Sequence, residues 1–180
     1  WQNRGEYRKE GLEWSRKFLN ASTSSRSAGR AWALYHAALL ASTLSPTWDA
    51  PESKKWLEEG LFLAREFNDH LCISRILEEY GFLEIHVTEN FDKAHEYLDQ
   101  SMIESRLLGD NLGIGWVLDW RGRIAYYQSD YSTARSFLEE SLSILTQVGE
   151  LRRWGLVLTY IGYVCSSQGD WSAALKYSKQ

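Results

Sequence analysis

The sequence predicts an all-α fold, an α-solenoid of antiparallel helix pairs, and three observations carry that expectation. Only two prolines interrupt 180 residues in which Leu, Ala, Glu, Arg and Ser recur, so helix is permitted almost everywhere. Apolar and small residues fall at helical spacing: Tyr131, Ala134, Leu138, Ser141, Leu142, Leu145 and Val148 make one stripe on a helix. The pattern returns with a period of 40, which sets Asn90-Phe91-Asp92-Lys93-Ala94, Asp130-Tyr131-Ser132-Thr133-Ala134 and Asp170-Trp171-Ser172-Ala173-Ala174 in register. Gly109 and Gly149, Gly115 and Gly155, and Gly122 and Gly162 recur at the same step. An earlier copy fits with one residue of slippage, Asp69 onto Asp110 and Gly81 onto Gly122.

A fainter first copy around Tyr7 to Leu44 gives helices near residues 4–20 and 29–44. Between them Asn20 to Gly29, rich in Ser, reads as a surface loop, and Ser45 to Ala50 reads as a second. A helix over 51–67 has the strongest start, Asp49-Ala50-Pro51-Glu52, with an acidic N-cap, a proline in the first turn and a Glu three residues on. Its stripe is Leu57, Leu61, Ala64 and Phe67, and its partner covers 70–87. Helices at 91–108 and 111–128 follow, the first on Phe91, Ala94, Leu98 and Met102, the second on Ile114, Val117, Leu118 and Ile124. Those at 131–148 and 151–168 repeat the pair, the latter on Leu151, Trp154, Leu158, Ile161 and Cys165, and a last helix runs from 171. Asn68, Gly109 and Gly149 each precede an acidic residue, as a left-handed closing residue precedes the next N-cap. One continuous domain over 1–180 is expected, with units near 1–50, 51–90, 91–130 and 131–170 and a partial unit at 171–180.

Composition narrows the function classes. With 44% apolar and 24% charged residues the chain sits in the ordinary soluble globular range. A net charge of -4 leaves no basic stripe to neutralise phosphates, so neither nucleic acid nor a membrane surface is an expected partner. Cys72 and Cys165 lie far apart in helical patterns without a CxxC partner, which suits a reducing, cytoplasmic compartment. The chain opens at Trp1 and stops at Gln180 inside helix-like runs, and reads as a piece of a longer protein. Asn20-Ala21-Ser22 matches a glycosylation triplet but reads better as a polar loop.

Leu158, Ile161, Gly162, Cys165, Gly169, Asp170, Trp171, Ala174 and Tyr177 resemble a tetratricopeptide repeat, with its Leu-Gly, Gly-Asp-aromatic and small-residue positions. Arg121, Gly122, Ala125, Asp130, Tyr131, Ala134 and Leu138 match the preceding copy, although Arg121 stands where the family has Leu. The 40-residue unit resembles the longer variants in the carboxy-terminal arrays of large bacterial signal-transduction ATPases, including LuxR-type and maltose-activator-like regulators. The resemblance covers residues 50–180 well and the first fifty loosely. It implies a right-handed superhelix whose first helices line the concave side, and a regulatory or sensor role in transcription. The small positions have a reason of their own: Gly122 and Gly162 facing Ala134 and Ala174 let two helix axes approach, so Gly162 to Leu is expected to overpack.

No catalytic constellation emerges. His36, His70, His86 and His95 show no metal-ligand spacing, and the adjacent Glu78-Glu79 and Glu139-Glu140 diverge around their helices and cannot share a proton. Gly109, Gly113 and Gly115 follow no strand and precede no Lys-Ser/Thr, so they do not read as a phosphate loop. No enzyme, metal or cofactor is implied. The informative excess is aromatic: nine Trp, ten Tyr and six Phe. Phe91, Tyr131 and Trp171 are assigned to the core at repeat-defining positions. By the family pattern, Glu78, Phe82, His86, Asp119, Arg123, Tyr126, Tyr127, Thr159 and Tyr163 face the groove, with Trp116 and Trp120 close by. Rings mixed with charges suit a desolvated recognition surface. The expected function is therefore a non-catalytic binding module for a protein or peptide, neighbouring domains of the same chain included, with a small-molecule effector such as a sugar as a further candidate. The alternative is a structural scaffold or oligomerisation module. Arg123 to Ala is expected to weaken binding without harming the fold.

Overall fold

A computed structural model describes residues 3–21, 26–45 and 51–179. Among them the chain is all-α: α1 (Asn3–Ala21), α2 (Ala28–Leu44), α3 (Pro51–Glu66), α4 (His70–Leu83), α5 (Phe91–Leu108), α6 (Asn111–Tyr127), α7 (Tyr131–Val148), α8 (Leu151–Ser167) and α9 (Trp171–Ser178). These bounds follow the expected helices closely, with one correction. The helix expected over 70–87 is α-helical only to Leu83, and Glu84–Thr88 winds as a π-helix. The reason is one surplus residue: nine positions separate Gly81 from Asn90, against eight from Gly122 to Asp130 and from Gly162 to Asp170. An i→i+5 turn takes up the extra residue inside the helix end. Accordingly the Asn90 amide reaches back to the Glu84 carbonyl, six residues away, whereas Asp130 and Asp170 reach Ala125 and Cys165, five away.

The expected loop after Asn20 begins later, because α1 runs through Ala21. The glycosylation triplet ends at Ser22 and the capping box begins at Asp49, both outside the described residues, as is most of the Ser45 to Ala50 loop. Elsewhere the turn chemistry is visible. Asn68, Gly109 and Gly149 take positive φ of 52°, 64° and 75°, as do Glu89, Ser129 and Gly169 at the equivalent turns. Each is followed by a cap, and the side chains of Asp69, Asn90, Asp130 and Asp170 accept from the amide three residues on. The short turns from α5 onward make consecutive helices antiparallel.

Contacts group the chain into two compact units, Trp1–Tyr97 and Leu98–Gln180, with the division inside α5. In the first unit, Leu34 and Ala38 of α2, Leu57 and Ala64 of α3, and Ile76 and Leu77 of α4 build the core. Gly60 allows close approach there, since a Cβ would sit 3.2 Å from Ile76 Cδ1 and 3.4 Å from Leu34 Cβ. In the second unit the core joins Ala125 of α6, Ala134, Leu138 and Leu145 of α7, and Val157, Ile161, Val164 and Cys165 of α8. In each unit alternate helices also touch, α2 with α4 and α6 with α8.

The close approach expected from the glycines holds for α6 on α7. A Cβ on Gly122 would lie 2.6 Å from Leu138 Cγ, and one on Gly115 3.1 Å from Leu145 Cδ2. The Ser141 hydroxyl donates to the Gly115 carbonyl at 2.7 Å across this contact. It is not seen for α8 on α9, where a Cβ on Gly155 or Gly162 meets nothing within 4 Å among the described residues. Four assignments also change, the first two being Phe67 and Val148, which are exposed at the C-terminal ends of their stripes. Leu151 is exposed at the first turn of α8, and Trp171, assigned to the core, is 69% exposed. Tyr131 packs beside Tyr126, with ring centroids 6.0 Å apart, whereas the residue forty positions on from Tyr126 is Ser166, which offers Trp171 no ring.

Candidate functional site

Three of the expected site residues lie in the first unit and eight in the second. In the first, Glu78 is buried on α4, while Phe82 and His86 are half-buried with ring centroids 4.6 Å apart. The π-helical turn carries His86.

The eight in the second unit gather on α6 and α8. Asp119 and Arg123 stand one turn apart on α6, and the guanidinium donates to both carboxylate oxygens, at 2.8 and 2.7 Å. Arg153 of α8 brings a second guanidinium to 3.5 Å from the same carboxylate. The carboxylate is fully buried, and Trp120 and Arg123 are buried with it. Their expected exposure to an open groove is therefore corrected: the charges complete one another inside the α6–α8 contact. Rings receive both cations. Arg123 lies 4.5 Å from the Trp120 centroid and 4.3 Å from that of Tyr160, and Arg153 lies 4.6 Å from Trp116 and 5.1 Å from Trp120. Two guanidinium groups facing one carboxylate leave a surplus positive charge, which the negative π faces of indole and phenol help to stabilise.

Tyrosines form the outer edge of this cluster. Tyr126, Tyr160 and Tyr163 meet one another at 5.7 to 6.3 Å between centroids, and the Tyr127 and Tyr160 hydroxyls are 2.8 Å apart. Burial, then the hydrogen bond to Tyr160, holds the Tyr127 phenol well above its ordinary pKa. Even so Tyr127 is 40% exposed and Tyr163 51%. Thr159 is exposed, and its hydroxyl donates to the Gly155 carbonyl at 2.9 Å.

Sequence reasoning passed over Tyr160 and Arg153. Tyr160 stands forty residues after Trp120, so the repeat itself could have nominated it. Arg153 aligns with Gly113, and nothing in the repeat marks it. Beside the cluster, α8 and α9 leave an open groove of about 780 Å³ whose lining includes Trp154, Leu158, Tyr163 and Trp171.

Burial pushes the Cys72 thiol up to about 12 and also raises that of Cys165. Among the described residues no three His, Cys, Asp or Glu gather to hold a metal ion, and no helix is long and apolar enough to cross a membrane.

The class these features define is an all-α helical-repeat protein. No protein-family model matches the chain, and no curated protein matches it. Solved structures do: BtubC (BKLC) from P. vanneervenii is similar with a TM-score of 0.74 and 16% identity, over 98% of this chain and 72% of that one. At that identity the likeness shows the fold alone.

Proposed function

We propose that this chain is a non-catalytic, tetratricopeptide-like binding module that holds a protein or peptide segment on the tyrosine-edged face of α6 and α8. We place it in the regulatory part of a bacterial signal-transduction regulator, as the resemblance of its repeats implies. The observation that supports binding is the fixed aromatic edge. Tyr127 and Tyr163 keep substantial exposed area while the hydroxyl pair with Tyr160 and the ring contacts of Tyr126 hold them in place. Side chains already ordered in the free protein lose little rotamer freedom on binding, so more of their contact energy reaches affinity.

Selection of peptides from a displayed random library on the 180-residue chain tests this reading. Tyr127→Ala and Tyr163→Ala should each weaken a selected peptide by about 1–2 kcal/mol, measured by calorimetry at a temperature where both variants remain folded. Selected peptides that bind the double variant as tightly as the parent would refute it. A sugar effector is the narrower version of the same reading, and a sugar panel run in the same calorimeter addresses it.

A scaffold or oligomerisation role has its own support, the exposed Tyr7, Trp14 and Phe18 along one side of α1. Sedimentation of the chain against its Trp14→Ser variant separates the two readings.

A further inference from the structure

Within the second unit, the tyrosine edge stands on a charged support that stability alone does not call for. The Asp119 carboxylate is fully buried and accepts from the Arg123 guanidinium at both oxygens, at 2.8 and 2.7 Å. A buried ion pair is weak evidence of stability, because an apolar pair of similar volume often holds a core as well or better. Its position is the informative feature. The bidentate contact fixes the plane of the guanidinium, and the cation lies 4.5 Å from the Trp120 centroid and 4.3 Å from that of Tyr160. The Tyr160 hydroxyl is 2.8 Å from the Tyr127 hydroxyl, and the two rings meet edge-on, 6.4 Å apart at 89°. Contacts therefore run without a gap from Asp119 through Arg123 and Tyr160 to Tyr127. Asp119 and Arg123 are buried and Tyr160 is half-buried, whereas Tyr127 is exposed. The charge is felt at the exposed end: burial and the Tyr160 hydrogen bond push the Tyr127 phenol up, and the Arg123 charge pulls against them.

We propose that the buried Asp119–Arg123 pair is the positioning element of the tyrosine face. It holds the Tyr160 ring against a fixed cation, and through Tyr160 it holds the Tyr127 ring in the orientation that a bound peptide meets. This role rests on the binding reading above and adds to it which buried residues set the affinity. Being buried, Asp119 and Arg123 act only through Tyr160 and Tyr127. The gain is entropic, since a ring confined before binding loses less freedom on contact. Tyr126 also meets the Tyr127 ring, with centroids 5.8 Å apart, so loss of the pair loosens Tyr127 without releasing it.

The test joins a readout of the free protein to one of binding. The chain is labelled with fluorotyrosine, and the Tyr127 signal in fluorine NMR is assigned by its loss in Tyr127→Phe. In Arg123→Met, in the Asp119→Leu/Arg123→Met double variant and in Tyr160→Phe, that signal should move toward the position of the free amino acid. The same variants, each at a temperature where it is folded, should bind a display-selected peptide that depends on Tyr127 roughly three- to tenfold more weakly. In a Tyr127→Ala background the losses caused by the two ion-pair variants should vanish, because the pair acts through that ring. The double variant is decisive, since its apolar side chains keep the core filled while removing the clamp. A Tyr127 signal that stays in place in both ion-pair variants overturns the positioning role, whatever the peptide does. A signal that moves while affinity holds, an affinity loss that persists in Tyr127→Ala, or a double variant that fails to fold leaves the pair a structural role only. A library that yields no peptide sensitive to Tyr127→Ala removes the binding reading and this role with it. That failure is recognisable on its own, because the fluorine signal is read without any peptide.

Discussion

Arg123 is the residue at which charge and packing meet, and its buried position reverses the expectation that Ala would leave the fold intact. Removing its guanidinium leaves the fully buried Asp119 carboxylate with Arg153 at 3.5 Å as its nearest charged partner. Loss of one member of a buried pair costs about 3–5 kcal/mol, and the second cation should hold the cost of Arg123→Ala near the lower end. Urea denaturation measures this, and a loss below about 1 kcal/mol would mean that the pair is not buried in solution. A double replacement, Asp119→Leu with Arg123→Met, should cost less than Arg123→Ala alone, since it leaves no carboxylate behind. Tyrosine ionisation gives a second readout. Burial raises the phenol pKa of Tyr80, with the Glu58 charge adding to it, and burial with the Tyr160 hydrogen bond raises that of Tyr127. The folded chain therefore holds these protons more tightly than the unfolded chain. Their contribution to stability is intact below about pH 10 and declines as the pH rises through the elevated folded values. Urea midpoints measured between pH 9 and 11 should fall, and Tyr80→Phe should flatten that fall.

At the scale of the helix, the same repeat position has opposite tolerances in α6 and α8. Gly122→Ala puts a methyl group 2.6 Å from the buried Leu138 and 3.3 Å from the Ala134 carbonyl, so it should destabilise by about 1–3 kcal/mol. Gly162→Ala meets nothing and gains helix propensity, so it should stabilise by up to about 1 kcal/mol. Thermal melts of the two variants check both signs, and equal effects would mean that α9 covers Gly162. Periodicity and caps made the helices legible, because a stripe such as Leu138, Ser141 and Leu145 and a start such as Asp130 are local properties of the chain. The openness at Gly162 was not legible, because sequence identity with Gly122 says nothing of what lies across from it. The same holds for Trp171, whose ring partner is missing forty residues after Tyr126.

For the whole molecule, the all-α helical-repeat class was readable from spacing, while the division into compact units was not. The repeat suggests breaks between units, at residues such as 90 or 130, yet the contacts divide inside α5, where the stripe is continuous. The candidate site was half readable. Tyr127, Thr159 and Tyr163 were named and are exposed, but Asp119, Trp120 and Arg123 turn inward because Arg153 and Tyr160 of α8 meet them, and pairings between separate helices leave no trace in a single stripe. The π-helical turn at Glu84–Thr88 accounts for the one-residue slip between the early and late copies. Because that turn takes up the surplus residue before the Asn90 cap, α5 starts with the same cap, aromatic and small-residue spacing as α7. An extra residue absorbed inside a helix end in this way leaves the spacing of the next helix's apolar stripe unchanged.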